Sequence, residues 1–259
     1  MPISSKVGKV LNFRLLSPYP SLALGTESSD LLNLLSYKFD LYQLNYLEVG
    51  IEHGRTLEAV KNDVRFGVDP NPKFINLFRK NKIRVFPISS SDFFSELDPA
   101  LRFGMVFLDG LHTAEQTFQD LTNVSKHLLK NSIVVLDDSV PIDRWSAIPH
   151  QETALKLRKE YSASDRGSWQ GDVYRVVMTL DTLKIDGLRF ITIMDISNPK
   201  TVIWAEMDRA WLELSKMGNV EINPSVDFDL LVSEVIPNQF NPTAFSKFTQ
   251  DFDKLFCNR

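Results

Sequence analysis

The chain has 259 residues, enough for one domain with a sizeable core and some additions, since domains run to roughly 100–200 residues; its 43% apolar and 24% charged residues exclude a disordered or fibrous protein. Twenty-nine Lys and Arg against 33 Asp and Glu leave a formal charge of −4 with no dense basic run, which argues against nucleic acid as the main partner. Apolar stretches such as residues 133–136 are far shorter than the ~20 residues that a membrane-spanning helix needs, so no membrane partner is expected.

Residues 1–26 contain Pro2, Pro18 and Pro20, show no clean period, and read as an irregular arm. Lys6 and Lys9 are followed by no continuous apolar segment and no small-residue cleavage site, so the expected address is cytoplasmic. From Ser28 to Leu44 the leucines fall on a broad helical face, which predicts a packing helix capped by Ser28, Ser29 or Asp30. Five short apolar runs then follow, ending Glu48-Val-Gly50, Val68-Asp69, Val85-Phe86, Leu108-Asp109 and Leu136-Asp137. Helical periodicity separates them, as in Phe74, Leu77 and Phe78, or in Ala114, Phe118, Leu121 and Leu128. Strands alternating with helices predict βαβ units, a mainly parallel sheet and helices on both faces. Thr113-Ala-Glu-Gln116 fits a capping box that starts a helix just beyond Asp109.

Past Val140 the pattern loosens through Pro141 and Pro149, resumes as a helix over Thr153 to Tyr161, and breaks again from Gly167 to Gly171. Residues 188–194 and 201–204 flank Ser197-Asn-Pro199 and predict an antiparallel hairpin. Helical stretches are expected over Asp229 to Val235 and Thr243 to Phe256. Cys257 is the only cysteine, which excludes an internal disulfide and a cysteine-based zinc site.

In an open doubly wound sheet, ligands bind beyond the carboxyl ends of the strands. Here four of the five strand ends supply a carboxylate: Glu48, Asp69, Asp109, and Asp137 with Asp138. Gly50 and Gly54 permit a tight strand-to-helix turn and close backbone approach of a ligand. Their spacing lacks the third glycine of the dinucleotide fingerprint, which favours a cofactor without a diphosphate. Asp69 stands where an acid accepts hydrogen bonds from ribose hydroxyls. A turn with a chance acid is the plainer alternative, as is a polar turn for Asp137-Asp138 before Ser139 and Pro141.

Residues 48–56 (EVGIEHGRT), 68–72 (VDPNP), 107–112 (FLDGLH) and 135–138 (VLDD), taken in order, resemble the class I S-adenosylmethionine-dependent methyltransferases. The similarity is greatest to the metal-dependent small-molecule O-methyltransferases of the catechol and the bacterial sugar and macrolide types. It implies an α/β fold with a Rossmann-like, doubly wound, mostly parallel seven-stranded sheet and a C-terminal antiparallel hairpin. The arm and packing helix would occupy residues 1–44, the methyltransferase core 45–206 and a helical extension 207–259. The resemblance implies that Glu48, Gly50, Gly54, Thr56, Asp69, Ser90, Ser91 and Asp109 bind S-adenosylmethionine. It implies further that Asp109, Asp137 and Asp138 hold Mg²⁺. His112 falls where the catechol type carries a lysine base, and is the expected catalytic base.

The chemistry suits these roles. Methyl transfer is an in-line displacement that rests on alignment, and a hard cation on the acceptor oxygen lowers its pKa. Three carboxylates suit Mg²⁺, and an imidazole can accept a proton near neutrality. His112 as a capping or substrate-contact residue stays open. So do Trp169-Gln-Gly-Asp-Val-Tyr174, read either as a lid over the acceptor or as packing, and Arg144, Trp145 and Arg166 as substrate contacts. His127 fits a helix C-terminus, His53 lines the cofactor turn, and His150 has no assigned role. The expected partner is a small hydroxylated acceptor, with self-association left open. A nicotinamide-dependent oxidoreductase and a catalytically silent cofactor-binding relative are the alternatives.

Overall fold

The five apolar runs become β1 (Tyr46–Val49), β2 (Arg65–Val68), β3 (Ile83–Phe86), β4 (Phe103–Leu108) and β5 (Leu128–Leu136). This computed structural model describes residues 28–73, 82–162, 169–196 and 198–256. The hairpin is β6 (Leu188–Ile193) with β7 (Lys200–Ala205), and a two-residue β8 (Pro242–Thr243) is added from the C-terminal part. The sheet order is β3-β2-β1-β4-β5-β7-β6-β8, one strand more than the seven expected. β1 to β5 pair in parallel, while β7 runs against both β5 and β6. The chain steps outward from β1 to β3 and returns on the other side with β4. That reversal puts a crevice at the carboxyl ends of β1 and β4.

Successive strand side chains point to opposite faces, and both faces are buried. Leu47, Val49, Val106, Leu108, Val134 and Leu136 pack one way, against α4 (Ala114–Ser125), α6 (Tyr174–Leu183) and α7 (Asp208–Leu214). Tyr46, Met105, Phe107, Ile133 and Val135 pack the other way, against α1 (Ser28–Lys38), α2 (Arg55–Ala59) and α10 (Phe245–Phe256). Phe248, Phe252 and Phe256, spaced four apart, form one stripe of α10 and meet Leu31, Leu32 and Leu35 of α1 in the same cluster. The C-terminal part therefore shares its core with the first described helix.

α1 ends at Lys38, short of the predicted Leu44. Asp40 takes φ +55°, and Leu41 N–H and Asp40 N–H donate back to Ser36 O and Tyr37 O at 2.8 and 3.3 Å, a left-handed closure that stops a helix. α3 is Ser90–Glu96, and α5 (Gln151–Tyr161) starts two residues before the expected boundary. Residues 228–239 form a short α8 (Phe228–Leu230), a π-helical turn (Leu231–Val235) and α9 (Ile236–Gln239). α6 and α7 were not expected: Val176 and Val177 suggest a strand by propensity, and burying Val176, Val177 and Leu180 in the core overrides it. The expected N-terminal arm, the helical segment of Phe74, Leu77 and Phe78, Arg166, Gly167, Ser197 and Cys257 lie outside the described residues. Among the described residues, no helix is long and apolar enough to cross a membrane.

Candidate active site

The turn after β1 needs its glycines. Gly50 has φ +85°, and a Cβ there would lie 1.9 Å from the Asp109 carbonyl oxygen, so only glycine lets the ends of β1 and β4 close together. Gly54, at φ +67°, precedes the short α2, whose first turn carries Thr56. Asp69, at the end of β2, is held by backbone donors: Glu52 N–H reaches its Oδ2 at 2.8 Å and Asn71 N–H its Oδ1 at 2.7 Å. A carboxylate so held keeps lone pairs for further donors. Ser90 lies in the first turn of α3 and accepts from Gln116 Nε2 at 3.2 Å, while Ser91 sits 3.5 Å from the same amide. Gln116 also donates to Asp120 Oδ1 at 2.9 Å, a carboxyl that burial raises to about 6 against the pull of Ser90 and Gln116. Asp120 lies on α4 at helical spacing from Gln116, and no motif in the sequence marks it.

Glu48, near the end of β1, is shut away from solvent. It is 2% exposed and accepts from Tyr46 Oη at 2.7 Å. Burial raises its carboxyl to about 8, against the hydrogen bond from Tyr46, so it is a neutral acid at neutral pH.

The ends of β4 and β5 form a denser cluster. Asp138 adopts φ +52°, and its N–H donates to Asp137 Oδ1 at 2.7 Å. The same Oδ1 accepts from Nζ of Lys200 at 2.7 Å, and that fully buried lysine also donates to Asn198 O at 3.1 Å. His112 stands between the other two acids, with Nε2 3.5 Å from Asp109 Oδ1 and Nδ1 3.1 Å from Asp138 Oδ2. Nδ1 is also 2.9 Å from Trp169 O. A carbonyl only accepts, so Nδ1 carries the hydrogen. Burial, followed by the charge of Asp137, pushes the carboxyls of Asp109 and Asp138 up. Burial disfavours a charged His112, but its hydrogen bond to Asp109 and the charges of Asp138 and Asp109 outweigh that and raise it.

The geometry bears on two of the expected roles. The acids expected to hold a cation were Asp109, Asp137 and Asp138. One ligand atom each of Asp109, His112 and Asp138 lies within 4.8 Å of the others, while Asp137 Oδ1 is paired with Lys200 Nζ at 2.7 Å. His112 was expected as the base. Its imidazole lies between the carboxyls of Asp109 and Asp138, which favour its protonated form, while burial opposes it.

The 169–174 segment is a strap that fixes the turn carrying His112. The Trp169 ring stacks on the imidazole at 4.9 Å between centroids and 16° between planes, and its Nε1 donates to Ile148 O at 2.6 Å. Gly171 has φ +63°, and a Cβ there would be 1.7 Å from His112 O. Asp172 Oδ1 accepts from Ala114 N–H, the first residue of α4, at 2.8 Å, and Oδ2 holds Arg175 Nη1 at 2.6 Å. Asp172 thus shares the helix start with Thr113, whose Oγ1 accepts from Gln116 N–H at 3.4 Å; the Gln116 side chain turns to Ser90 and Asp120 instead of closing the expected capping box.

The remaining expected residues lie apart from this cluster. Arg144 pairs with Asp229 at 3.1 Å, and Trp145 stacks on Tyr161 at 5.8 Å. His53 Nε2 lies 3.4 Å from Glu52, and His127 Nδ1–H donates to Leu101 O at 3.1 Å. His150 caps α5 by position only, without a side-chain hydrogen bond.

A doubly wound sheet with a glycine turn at its switch point and an acid-lined rim defines a Rossmann-like α/β domain with a cofactor crevice. Residues 47–139, from β1 to just beyond Asp138, match the family model described as a methyltransferase domain. Solved structures similar to the chain include the O-methyltransferase from Bacillus cereus in complex with SAH (14% identity, 79% of this chain and 92% of that one, TM-score 0.48). The SAH-bound methyltransferase PaMTH1 of Podospora anserina is also similar (11%, 75% and 86%, TM-score 0.49). A third is the O-methyltransferase TomG of Streptomyces achromogenes, involved in tomaymycin synthesis and in complex with SAM (15%, 76% and 87%, TM-score 0.46). No curated protein matches the chain.

Proposed function

We propose that the protein is an S-adenosylmethionine-dependent O-methyltransferase that acts on a small hydroxylated acceptor, such as a sugar, glycoside or natural product, with the help of a divalent cation. One observation carries this: the stretch that matches a methyltransferase domain ends just beyond the acid cluster and contains the strand-end residues from the Gly50 turn through Asp69 to Asp109 and Asp138.

In this reading Asp69, already held by two backbone N–H groups, takes the ribose hydroxyls, and Thr56 takes the methionine carboxylate. Ser90 and Ser91 flank the adenine. Gly50 and Gly54 let the backbone approach the cofactor, while Glu48 stays buried as a neutral acid. S-adenosylmethionine supplies an electrophilic methyl on sulfur, and the work left to the chain is alignment of the acceptor oxygen with it.

The acid cluster fits a cation. Asp138 Oδ1 is buried without a hydrogen-bond partner, and Asp109, His112 and Asp138 each offer one ligand atom within 4.8 Å of the others. A divalent cation, Mg²⁺ by the sequence reading, would lower the pKa of the acceptor hydroxyl and orient it. The chain's part is to pin His112 through Trp169 and to shield the rim from bulk water with the 169–172 strap.

Calorimetric titration with S-adenosylmethionine, S-adenosylhomocysteine and NAD⁺ tests the reading. Micromolar binding of both adenosyl compounds without an NAD⁺ signal is expected, and NAD⁺ binding alone overturns it in favour of an oxidoreductase. Asp69→Ala should weaken the adenosyl compounds by about tenfold or more, the loss of hydrogen bonds to a charged acceptor. Wild-type affinity in that variant would remove Asp69 from the ribose.

A further inference from the structure

The side-chain amide of Gln116 is held in one orientation by its neighbours. Gln116 lies in the first turn of α4, just beyond the end of β4, and Asp120 follows one helical turn later on the same face. Gln116 Nε2 donates to Asp120 Oδ1 at 2.9 Å and to Ser90 Oγ at 3.2 Å, with Ser91 Oγ at 3.5 Å. Asp120 is 2% exposed. A Cβ on Gly110 would stand 3.7 Å from Asp120 Oδ2 and 3.2 Å from Val49 Cγ1, which places this carboxyl beside the ends of β1 and β4. Burial raises it to about 6, so at neutral pH it is mainly ionised, and an ionised carboxylate only accepts. The amide nitrogen must therefore face Asp120, and both of its hydrogens are committed. Gln116 Oε1 takes no hydrogen bond among the described residues, so this half-buried amide presents an acceptor and no donor to its surroundings.

We infer that Gln116 binds the cofactor by accepting, on Oε1, a hydrogen bond from the exocyclic amino group of its 6-aminopurine, and that Asp120 is a positioning residue that fixes this polarity. The inference rests on the methyltransferase reading, in which Ser90 and Ser91, the hydroxyl neighbours of the amide, flank the adenine. An oxygen that only accepts needs a donor, and the amino group is the donor that an adenine base offers. A 6-oxopurine carries an oxygen at that place instead. Two acceptors would then meet with no hydrogen between them, and a site built around a hydrogen bond rejects an analogue that cannot make it. Asp120→Asn removes the lock while keeping its shape. An Asn amide donates as well as accepts, so Gln116 can turn over and offer Nε2 to a carbonyl. Asp120 thus selects the base through Gln116, without touching it.

The test is calorimetric titration of the full chain with S-adenosylhomocysteine and with S-inosylhomocysteine, its 6-oxo counterpart. The wild type should bind the 6-oxo compound about tenfold or more weakly. In D120N and in Q116A the preference should fall below about threefold while S-adenosylhomocysteine still binds, because the first lets the amide reverse and the second removes it. A ratio between two ligands is not moved by a loss of stability alone, which separates this role from a merely structural one. Equal affinity for the two compounds in the wild type, or a reversed preference, overturns the inference, and no variant has to fold for that result. A variant that binds S-adenosylhomocysteine and keeps the wild-type ratio overturns it as well. Binding of S-adenosylhomocysteine without discrimination sinks this inference alone, whereas absence of binding by either compound sinks the methyltransferase reading and this inference with it.

Discussion

The acidic groups of the site and the groups that hold them come from different parts of the chain. Glu48, Asp69, Asp109, Asp137 and Asp138 stand at the ends of β1, β2, β4 and β5, within the stretch that matches a methyltransferase domain. Trp169, Gly171, Asp172 and Lys200, which pin, stack on or neutralise parts of that rim, lie beyond it, in the strap and at the start of β7. The first region supplies chemistry at positions fixed by strand ends. The second decides which of those acids stay available. Asp137 and Asp138 are neighbours in sequence, yet one is closed off by a buried lysine and the other keeps an oxygen without a partner.

The contrast predicts that changes in the supporting region act mainly on stability. The largest effect is expected for Lys200→Met, which leaves Asp137 as an uncompensated buried charge and should cost about 3–5 kcal/mol in chemical denaturation. A loss below about 1 kcal/mol would mean that Asp137 is neutralised by something else and would dissolve the contrast. Combining that change with Asp137→Asn should restore part of the loss, because the two groups form one pair.

Next in size is the pH dependence carried by Glu48. Its folded pKa of about 8 lies above the ordinary 4.5, so between those values the native protein keeps a proton that the unfolded chain has released. Stability from this group therefore falls as pH rises from about 4.5 and levels off above about 8, by a few kcal/mol in all. Glu48→Gln should flatten that slope in denaturation curves recorded across the window; an unchanged slope would place the pH dependence elsewhere.

A smaller loss, about 1–3 kcal/mol, is expected for Gly171→Ala, whose Cβ would meet His112 O at a backbone angle that favours glycine. A melting temperature equal to that of the wild type would show that the strap moves aside freely. The smallest effect belongs to Trp169→Phe, which keeps a ring on His112 and loses the bond to Ile148 O, worth about 1 kcal/mol. That variant sharpens the comparison, since Trp169 holds His112 by its backbone carbonyl, which the substitution leaves in place.

The five parallel strands and their acidic ends were legible because strand periodicity and strand ends are local features: Leu47 and Val49 alternate with Tyr46 and Glu48 within a few residues. The Gly50 turn was legible for the same reason. α6 was not, because its Val176 and Val177 favour a strand until the core buries them, and β8 was not, because two residues carry no period of their own. The glycine-flanked Trp169 loop was visible, but whether it covers an acceptor or packs on His112 depends on a contact 57 residues away. Lys200 gave no signal, as one cation at the start of an apolar strand is ordinary in sequence.

The sequence by itself determined the strand order's raw material, the glycine turn and the set of acids at the rim, since each follows from neighbours a few residues apart. Only the tertiary structure decided which acid meets the lysine, which face of His112 is tied down and which carboxylate oxygen stays buried without a partner. Those outcomes depend on electrostatics and burial between segments as far apart as Asp137 and Lys200, and local periodicity carries no record of them.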